Sequence, residues 1–437
     1  MAIEVNRAIG NSKSNTERFL TVRFVVNCKG MKKKYEYEIL AMDKNQIWQR
    51  EYTMRILHFI LDFKLLTINQ ASLSDTIRMA LYQENTELFE KLNYYDDTTF
   101  WEPTLFCYFL SDISKENKIS LEQSVLGYIE QKNRPLTVTL KADIFGIINL
   151  PNWGYLRVQP YGQLQIETAK IKDVILENEY ATNTSVRLCL HHSDLLAYEA
   201  GVIFDEPIQE SLEKNKDNLF AAIHFFQTHL PDFWNVIERV TSEFVVFSSP
   251  SYNSFAGIMQ HGTAYFNVEN KRQTPVFFID DIAHQCGHII FNALTLQTDQ
   301  FLSAPKAHPM QGYTDWPGET RGAYGAFHGL FTYTTILHSL DKVLDLEGVF
   351  NEDLRHEALG RMGFYVNKFG YDLQFIHSAS ILTEAGMDYW KQFAKGFKYI
   401  AEKYEARLTK LDYRNQPYMF QYDLFKELNP IQKTVSA

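Results

Sequence analysis

The 437-residue sequence has only four cysteines, Cys28, Cys107, Cys189 and Cys286, and no two form a Cys-x-x-Cys pair. A disulfide framework and a four-thiolate zinc site are therefore not expected, and the four read as reduced thiols of a cytoplasmic protein. No uninterrupted apolar run approaches the ~20 residues of a membrane span. The opening "MAIEVNRAIGNSKSNTERF" is polar where the core of an export signal would be apolar. Long basic blocks are missing too. With a net charge of −10, nucleic acid is not an expected partner, and the short run "GMKKKYEYE" (30–38) reads as a solvated turn and strand. There is no Walker phosphate loop, Rossmann glycine pattern or Gly-x-Ser-x-Gly elbow.

Apolar residues, by contrast, make up 45% of the chain, with 32 Phe and 25 Tyr, enough for a large buried core. The stretch "LTVRFVVNCKGMKKKYEYEIL" (20–40) predicts two strands around an Asn-Cys-Lys-Gly turn. From about 46 to 130 the apolar spacing turns helical, with "SLSDTIRMALYQ" opening on serines that suit a helix cap. Residues 134–190 predict strands ("PLTVTLKADIFGIINL", "GYLRVQPYGQLQIET", "SVRLCLHH"), punctuated by Pro and Gly. Beyond 206 helices dominate, interrupted by strand-like "EFVVFSSPS" and "TAYFNV". The expected class is α+β, with a helical N-terminal part, a β-rich middle and a mainly helical C-terminal part. The expected regions are 1–133, 134–205 and 206–437, packed as one body because no flexible linker is visible.

Residues 280–294 read "DDIAHQCGHIIFNAL". Two histidines four apart match the zinc-peptidase helix motif H-E-x-x-H, but Gln285 replaces its glutamate. The surrounding segment, from Pro275 on, is apolar nearly all round, the mark of a buried helix. Asp280, His284, His288 and Asn292 recur every fourth residue and form one polar stripe. Burying four polar groups in a row costs several kcal/mol unless each finds a partner. A metal held by His284 and His288, with Asp280, Gln285 and Asn292 around it, would supply such partners; a hydrogen-bonded histidine pair is the other reading. Cys286 reads as a small buried thiol. Hydrolysis by zinc needs a carboxylate base, which Gln285 cannot provide. Oxygen chemistry at Fe(II) needs no such base, only about three ligands on one face and open positions beside them.

A third ligand is sought in "DWPGETRGAYGAFHGLF" (315–331). If this is helical, Arg321 and His328 share a face roughly 10 Å apart along the axis. A metal at His328 would then leave Arg321 to pair with the far end of a chelating dicarboxylate. Gly322, Gly325 and Gly329 would leave room beside the helix or serve close packing. Glu319 is the alternative third ligand, or an ordinary acidic residue near a helix start.

These residues carry a resemblance. "FSSPSYNSFAGIM" (247–259), "HQCGHIIFNAL" (284–294), Arg321 and "FHGLF" (327–331) make the region 245–340 similar to the 2-oxoglutarate-dependent HExxH peptide β-hydroxylases of ribosomal peptide natural-product clusters, with "FWEPTLFCYFL" (100–110) a fainter match upstream. The resemblance implies iron held by His284, His288 and His328, 2-oxoglutarate anchored by Arg321, and hydroxylation of a side-chain β-carbon in a ribosomal precursor peptide. The departure is Gln285. It leaves a second expectation from a different class: a catalytically inactive, metallopeptidase-like scaffold that binds a peptide or a partner enzyme. Of the remaining histidines, His191 and His192, adjacent on a strand, read as surface or turn residues that cannot both face one site. His261 is a candidate for a substrate pocket, and His308 and His338 read as structural. An exposed strand edge in 20–40 or 134–190 would suit an extended peptide.

Overall fold

A computed structural model describes residues 62–269, 272–314 and 318–431 in full, and the segments 2–3, 9–10, 18–28 and 31–41 as strands. The first part of the predicted helical stretch, 46–61, and the Cys28 thiol lie outside the described residues. The class is α+β, with sheets between helical N-terminal and C-terminal parts. The chain divides into two compact units, one of residues 61–296 and one of 1–60 with 297–437. That boundary cuts through the region 206–437, which the sequence reads as a single part. Among the described residues no helix is long and apolar enough to cross a membrane.

The unit of 61–296 opens with α1 (Phe63–Glu84) and α2 (Pro103–Leu110). Asp62, not a serine, caps α1, its side chain accepting from Leu65 N at 2.9 Å. The predicted serine caps instead fall inside the helix, where Ser72 Oγ donates to the Ile68 carbonyl and Ser74 Oγ to that of Ala71. A hydroxyl bonded back to the preceding turn leaves the helix free to continue, so the serines mark no boundary.

The middle strands follow the predicted runs. β5 (Thr137–Lys141) pairs antiparallel with β8 (Gln163–Glu167), and β6 (Ile147–Leu150) with β7 (Gly154–Arg157), which also takes β9 (Leu176–Glu177). A third sheet in this unit has the order β10 (Glu179–Tyr180), β11 (Arg187–Leu188), β12 (Glu243–Phe247) and β13 (Thr263–Asn267), its last three strands parallel. β12 and β13 are buried along their whole length, as befits parallel strands covered on both faces. Helices α3 (Ile208–His229), α4 (Pro231–Val240) and α5 (Pro275–Leu294) complete the unit, α3 against β12 and α5 against β13 and α1. The Phe266 ring stands 5.1 Å from Phe244 and 6.1 Å from Phe278, so sheet and α5 share one aromatic core.

One ion cluster is sealed in this unit. Arg187, on β11, donates to both Glu102 oxygens (2.9 and 3.0 Å) and to Glu243 at 3.0 Å. All three residues are buried, and the bidentate geometry supplies the bonds that make burial tolerable.

In the other unit, α6 (Ala323–Asp345), α7 (Glu352–Ser378) and α8 (Glu384–Leu408) form an antiparallel set closed by a short helix, α9 (Tyr422–Leu428). Phe369 on α7 links Tyr333 of α6 (5.6 Å) to Phe397 of α8 (5.5 Å). The N-terminal segment of this unit contributes β1 to β4 (Ala2–Ile3, Ile9–Gly10, Arg18–Cys28, Met31–Ala41), of which β3 and β4 run antiparallel with Cys28 opposite Met31, where the sequence predicts the turn.

Candidate functional site

Helix α5 starts where local chemistry dictates. Thr274 caps it, its side chain accepting from Phe277 N at 3.0 Å, and Pro275 takes the first helical position, where its missing N–H is no loss. At the other end Asn69 of α1 donates to the carbonyls of Ala293 (2.8 Å) and Leu294 (3.3 Å), satisfying groups that a helix end leaves open. The helix is therefore fixed at both ends.

Between Val276 and Leu294 every residue is buried except Phe277, His284, His288 and Asn292. These lie seven, four and four apart, on one face. The predicted stripe thus exists, with Asp280 buried at its upper end. The His284 and His288 rings are 5.0 Å apart, centre to centre, with planes 33° from parallel. Imidazole nitrogens bind a metal at about 2.0–2.1 Å, so two rings this close can occupy neighbouring positions on one ion. Burial lowers the His288 pKa to about 4, which keeps the imidazole neutral at physiological pH.

Gln285 faces elsewhere. Its Nε2 donates to Asp281 Oδ1 at 2.8 Å, one turn back, and its Oε1 is buried without a hydrogen-bond partner. A glutamate here would set two carboxylates together in a dry environment, a like-charge pair that costs stability. The amide can donate; the carboxylate of the peptidase motif cannot. Cys286 is fully buried and its thiol is pushed up to about 12 by desolvation, the small buried thiol that the sequence predicts.

His328 lies on α6, in the unit of 297–437, 7% exposed and with its ring 5.2 Å from that of Tyr324 one turn earlier. Arg321 departs from expectation: α6 begins at Ala323 with Gly322 as its cap, so Arg321 precedes the helix and is not one of its face residues. Its side chain nevertheless lies along the first turns of α6, close to Gly325 and Gly329. A Cβ on either glycine would meet it only in ordinary contact. Gly322 is different, because a Cβ there would come within 2.6 Å of the Lys306 carbonyl; close packing is what this glycine serves.

The Arg321 guanidinium is already held. Nε and Nη2 donate to Glu319 (2.9 and 2.7 Å), and Nη1 and Nη2 to Asp372 on α7 (2.6 and 3.0 Å). Four of its five N–H donors are thus used by two carboxylates. Burial pushes Glu319 upward, but the bonds from Arg321 outweigh it and the carboxyl ends below its ordinary value; for Asp372 burial wins and the pKa is raised. The alternative third ligand, Glu319, is buried with both oxygens bound to Arg321. Among the described residues no group of three or more His, Cys, Asp or Glu side chains is placed to hold a metal.

Several other histidines are set by the structure. His261, the candidate pocket residue, is buried, its Nε2 3.1 Å from Gln70 Nε2 and 3.2 Å from Gln70 Oε1, with the Phe106 ring 5.4 Å away. His338 is buried in α6, and His308 lies 3.2 Å from the Tyr313 hydroxyl. His191 and His192 contradict the sequence reading. Both are buried, at 3% and 2% exposure, and both line one cleft. They lie past the end of β11, outside regular strand, so the rule that neighbouring strand residues face opposite ways does not govern them. No family model matches the sequence, and no characterised protein matches it significantly.

Proposed function

We propose that the chain is an Fe(II)- and 2-oxoglutarate-dependent oxygenase that hydroxylates a side-chain β-carbon of a ribosomally made peptide. The observation that carries this reading is the His284–His288 pair, 5.0 Å ring to ring on the one half-buried strip of the otherwise buried α5. Bound iron would supply the activation of dioxygen and the keto acid.

The residues' own work follows from their surroundings. His288, kept neutral by desolvation, has no proton to lose before it binds a metal. Gln285, tied to Asp281, neither binds metal nor takes a proton from water, which weighs against hydrolysis and leaves oxygen chemistry untouched. His328, the third ligand that the resemblance implies, belongs to the other compact unit. Arg321 fits its proposed role less well, since a keto-acid carboxylate would compete with Glu319 and Asp372 for it.

That last observation favours a second reading, an inactive scaffold that binds a peptide without turnover. Anaerobic titration with Fe(II) followed by 2-oxoglutarate separates the two. The oxygenase reading expects one iron per chain, a weak visible charge-transfer band on adding the keto acid, and loss of iron in His284→Ala. Iron that binds equally well to His284→Ala, or no band with the iron form, assigns the chain to the scaffold class.

A further inference from the structure

Among the described strands, β4 (Met31–Ala41) pairs with β3 alone, while β1 and β2 both lie along the other edge of β3. Only Lys29 and Gly30 separate Cys28 from its register partner Met31. A loop that short closes on a pair that exchanges both main-chain bonds. The alternation of an antiparallel ladder then turns the N–H and C=O groups of residues 32, 34, 36 and 38 away from β3, toward the outer edge of β4. An edge of this length is a template for another strand unless its residues forbid pairing.

The residues at those four positions are Lys32, Lys34, Glu36 and Glu38. An edge of lysines alone would repel a second edge of its own kind. Two lysines followed at the same spacing by two glutamates do the opposite, because the order of charge reverses when the strand is read backwards. We propose that β4 is the contact of a two-fold symmetric homodimer, pairing antiparallel with β4 of a second copy about Tyr35. In that register Lys34 stands opposite Glu36 of the second copy and Lys32 opposite Glu38, and the symmetry repeats each pair, so four opposite-charge pairs span the contact. The same four pairs are those whose main-chain groups face each other, so charge and ladder select one register. At the alternate positions Tyr35 meets Tyr35, Lys33 meets Tyr37 and Met31 meets Ile39. Moving the register by two residues is the smallest step that keeps the bonding groups opposed. It sets Lys34 against Lys34, or Glu36 against Glu36, and leaves two opposite-charge pairs in place of four. A parallel alignment in register sets like against like throughout. The complement that this edge requires is its own sequence reversed, which a second copy supplies. The inference does not depend on the iron reading of α5.

The test is sedimentation equilibrium of the full chain, from about 1 to 100 µM, because a dimer's population depends on protomer concentration. The expected result is a monomer–dimer equilibrium that weakens roughly tenfold or more in the double variant Glu36→Lys, Glu38→Lys and in the double variant Lys32→Glu, Lys34→Glu, since each edge then carries one sign. Mixing the two double variants in equal amounts should restore dimers, one chain of each kind, because every charge again meets its opposite. That recovery also shows that neither variant has lost its strand pair. Tyr35→Cys reads the register. Residues directly opposite in a pair without main-chain bonds stand about 4.5 Å apart at Cα, within disulfide reach. Mild oxidation should therefore link two Tyr35→Cys chains and leave the parent unlinked. A parent that stays monomeric at about 100 µM, a dimer that both double variants retain, a mixture of the variants that stays monomeric, or a Tyr35→Cys chain that does not cross-link would each overturn the proposal.

Discussion

The Gln285 side-chain amide donates to the Asp281 carboxylate across 2.8 Å, one helical turn apart inside a buried helix. This one bond explains why α5 holds the histidine half of a peptidase motif without its glutamate: the position is turned to a carboxylate that needs a donor. Gln285→Glu removes that donor and adds a second carboxylate. We expect a loss of about 1–3 kcal/mol at neutral pH, read as a lower urea midpoint, and a smaller loss at pH 5, because a like-charge pair takes up a proton more readily than a lone carboxylate. No peptidase activity is expected on a fluorogenic peptide. A variant as stable as the parent at both pH values would show that the bond is idle.

Arg321 provides a second discriminating variant. Removing one partner of a buried ionic cluster costs about 3–5 kcal/mol, because the remaining charges are stranded. Arg321 is only part-buried, so solvent screening reduces this, and Arg321→Gln should cost about 1–3 kcal/mol. Adding Asp372→Asn should recover part of it, since one stranded carboxylate is gone. A guanidinium kept chiefly to bind a keto acid would leave the denaturation midpoint unchanged and alter only ligand binding.

His338 reports on pH. Both of its ring nitrogens are buried without hydrogen-bond partners, and desolvation, with Lys342 nearby, lowers its pKa to about 3. An unfolded histidine titrates near 6.5. The unfolded chain therefore binds a proton that the folded chain refuses, and the stability is complete above about 6.5 and drains away as the pH falls toward the folded value. His338→Leu abolishes this penalty. The stability difference, variant minus parent, should rise by at most about 2 kcal/mol between pH 7.5 and pH 5. A pH-independent difference would mean that the ring has a partner in solution.

Gly363 tests the helical packing of the unit of 297–437. A Cβ there would overlap the Tyr413 hydroxyl, which itself donates to the Gly360 carbonyl at 3.0 Å. Gly363→Ala gains helix propensity of up to ~1 kcal/mol but must displace a buried tyrosine, typically at about 1–3 kcal/mol. The net expectation is a lower melting temperature, with Gly363→Ala, Tyr413→Phe partly restored because the hydroxyl is removed.

Much of the architecture was legible because it is local. Runs rich in β-branched and aromatic residues gave β5 to β8, β12 and β13, and Pro275 with its apolar sequel gave α5 and the strip bearing His284 and His288. Misreadings arose where a side chain's role depended on a distant partner. Ser72 and Ser74 look like caps until Asp62 is seen to hold that end of the helix. Arg321 looks like a helix-face residue until its extended lead into α6 and its bonds to Asp372, 51 residues away, are seen. The cleft that Asp143 and His191 line gave no pattern at all, since the two are 48 positions apart and adjacent histidines carry no sign of burial.

The sequence by itself determined the secondary elements, the absence of a base at position 285 and the histidine face of one buried helix, because helix periodicity and side-chain chemistry act over a few residues. Tertiary structure alone decided which polar groups are sealed and with whom: Gln285 with Asp281, Arg321 with Glu319 and Asp372, His191 with nothing. The physical reason is that desolvation and charge pairing depend on distance in space, and packing sets that distance independently of separation along the chain.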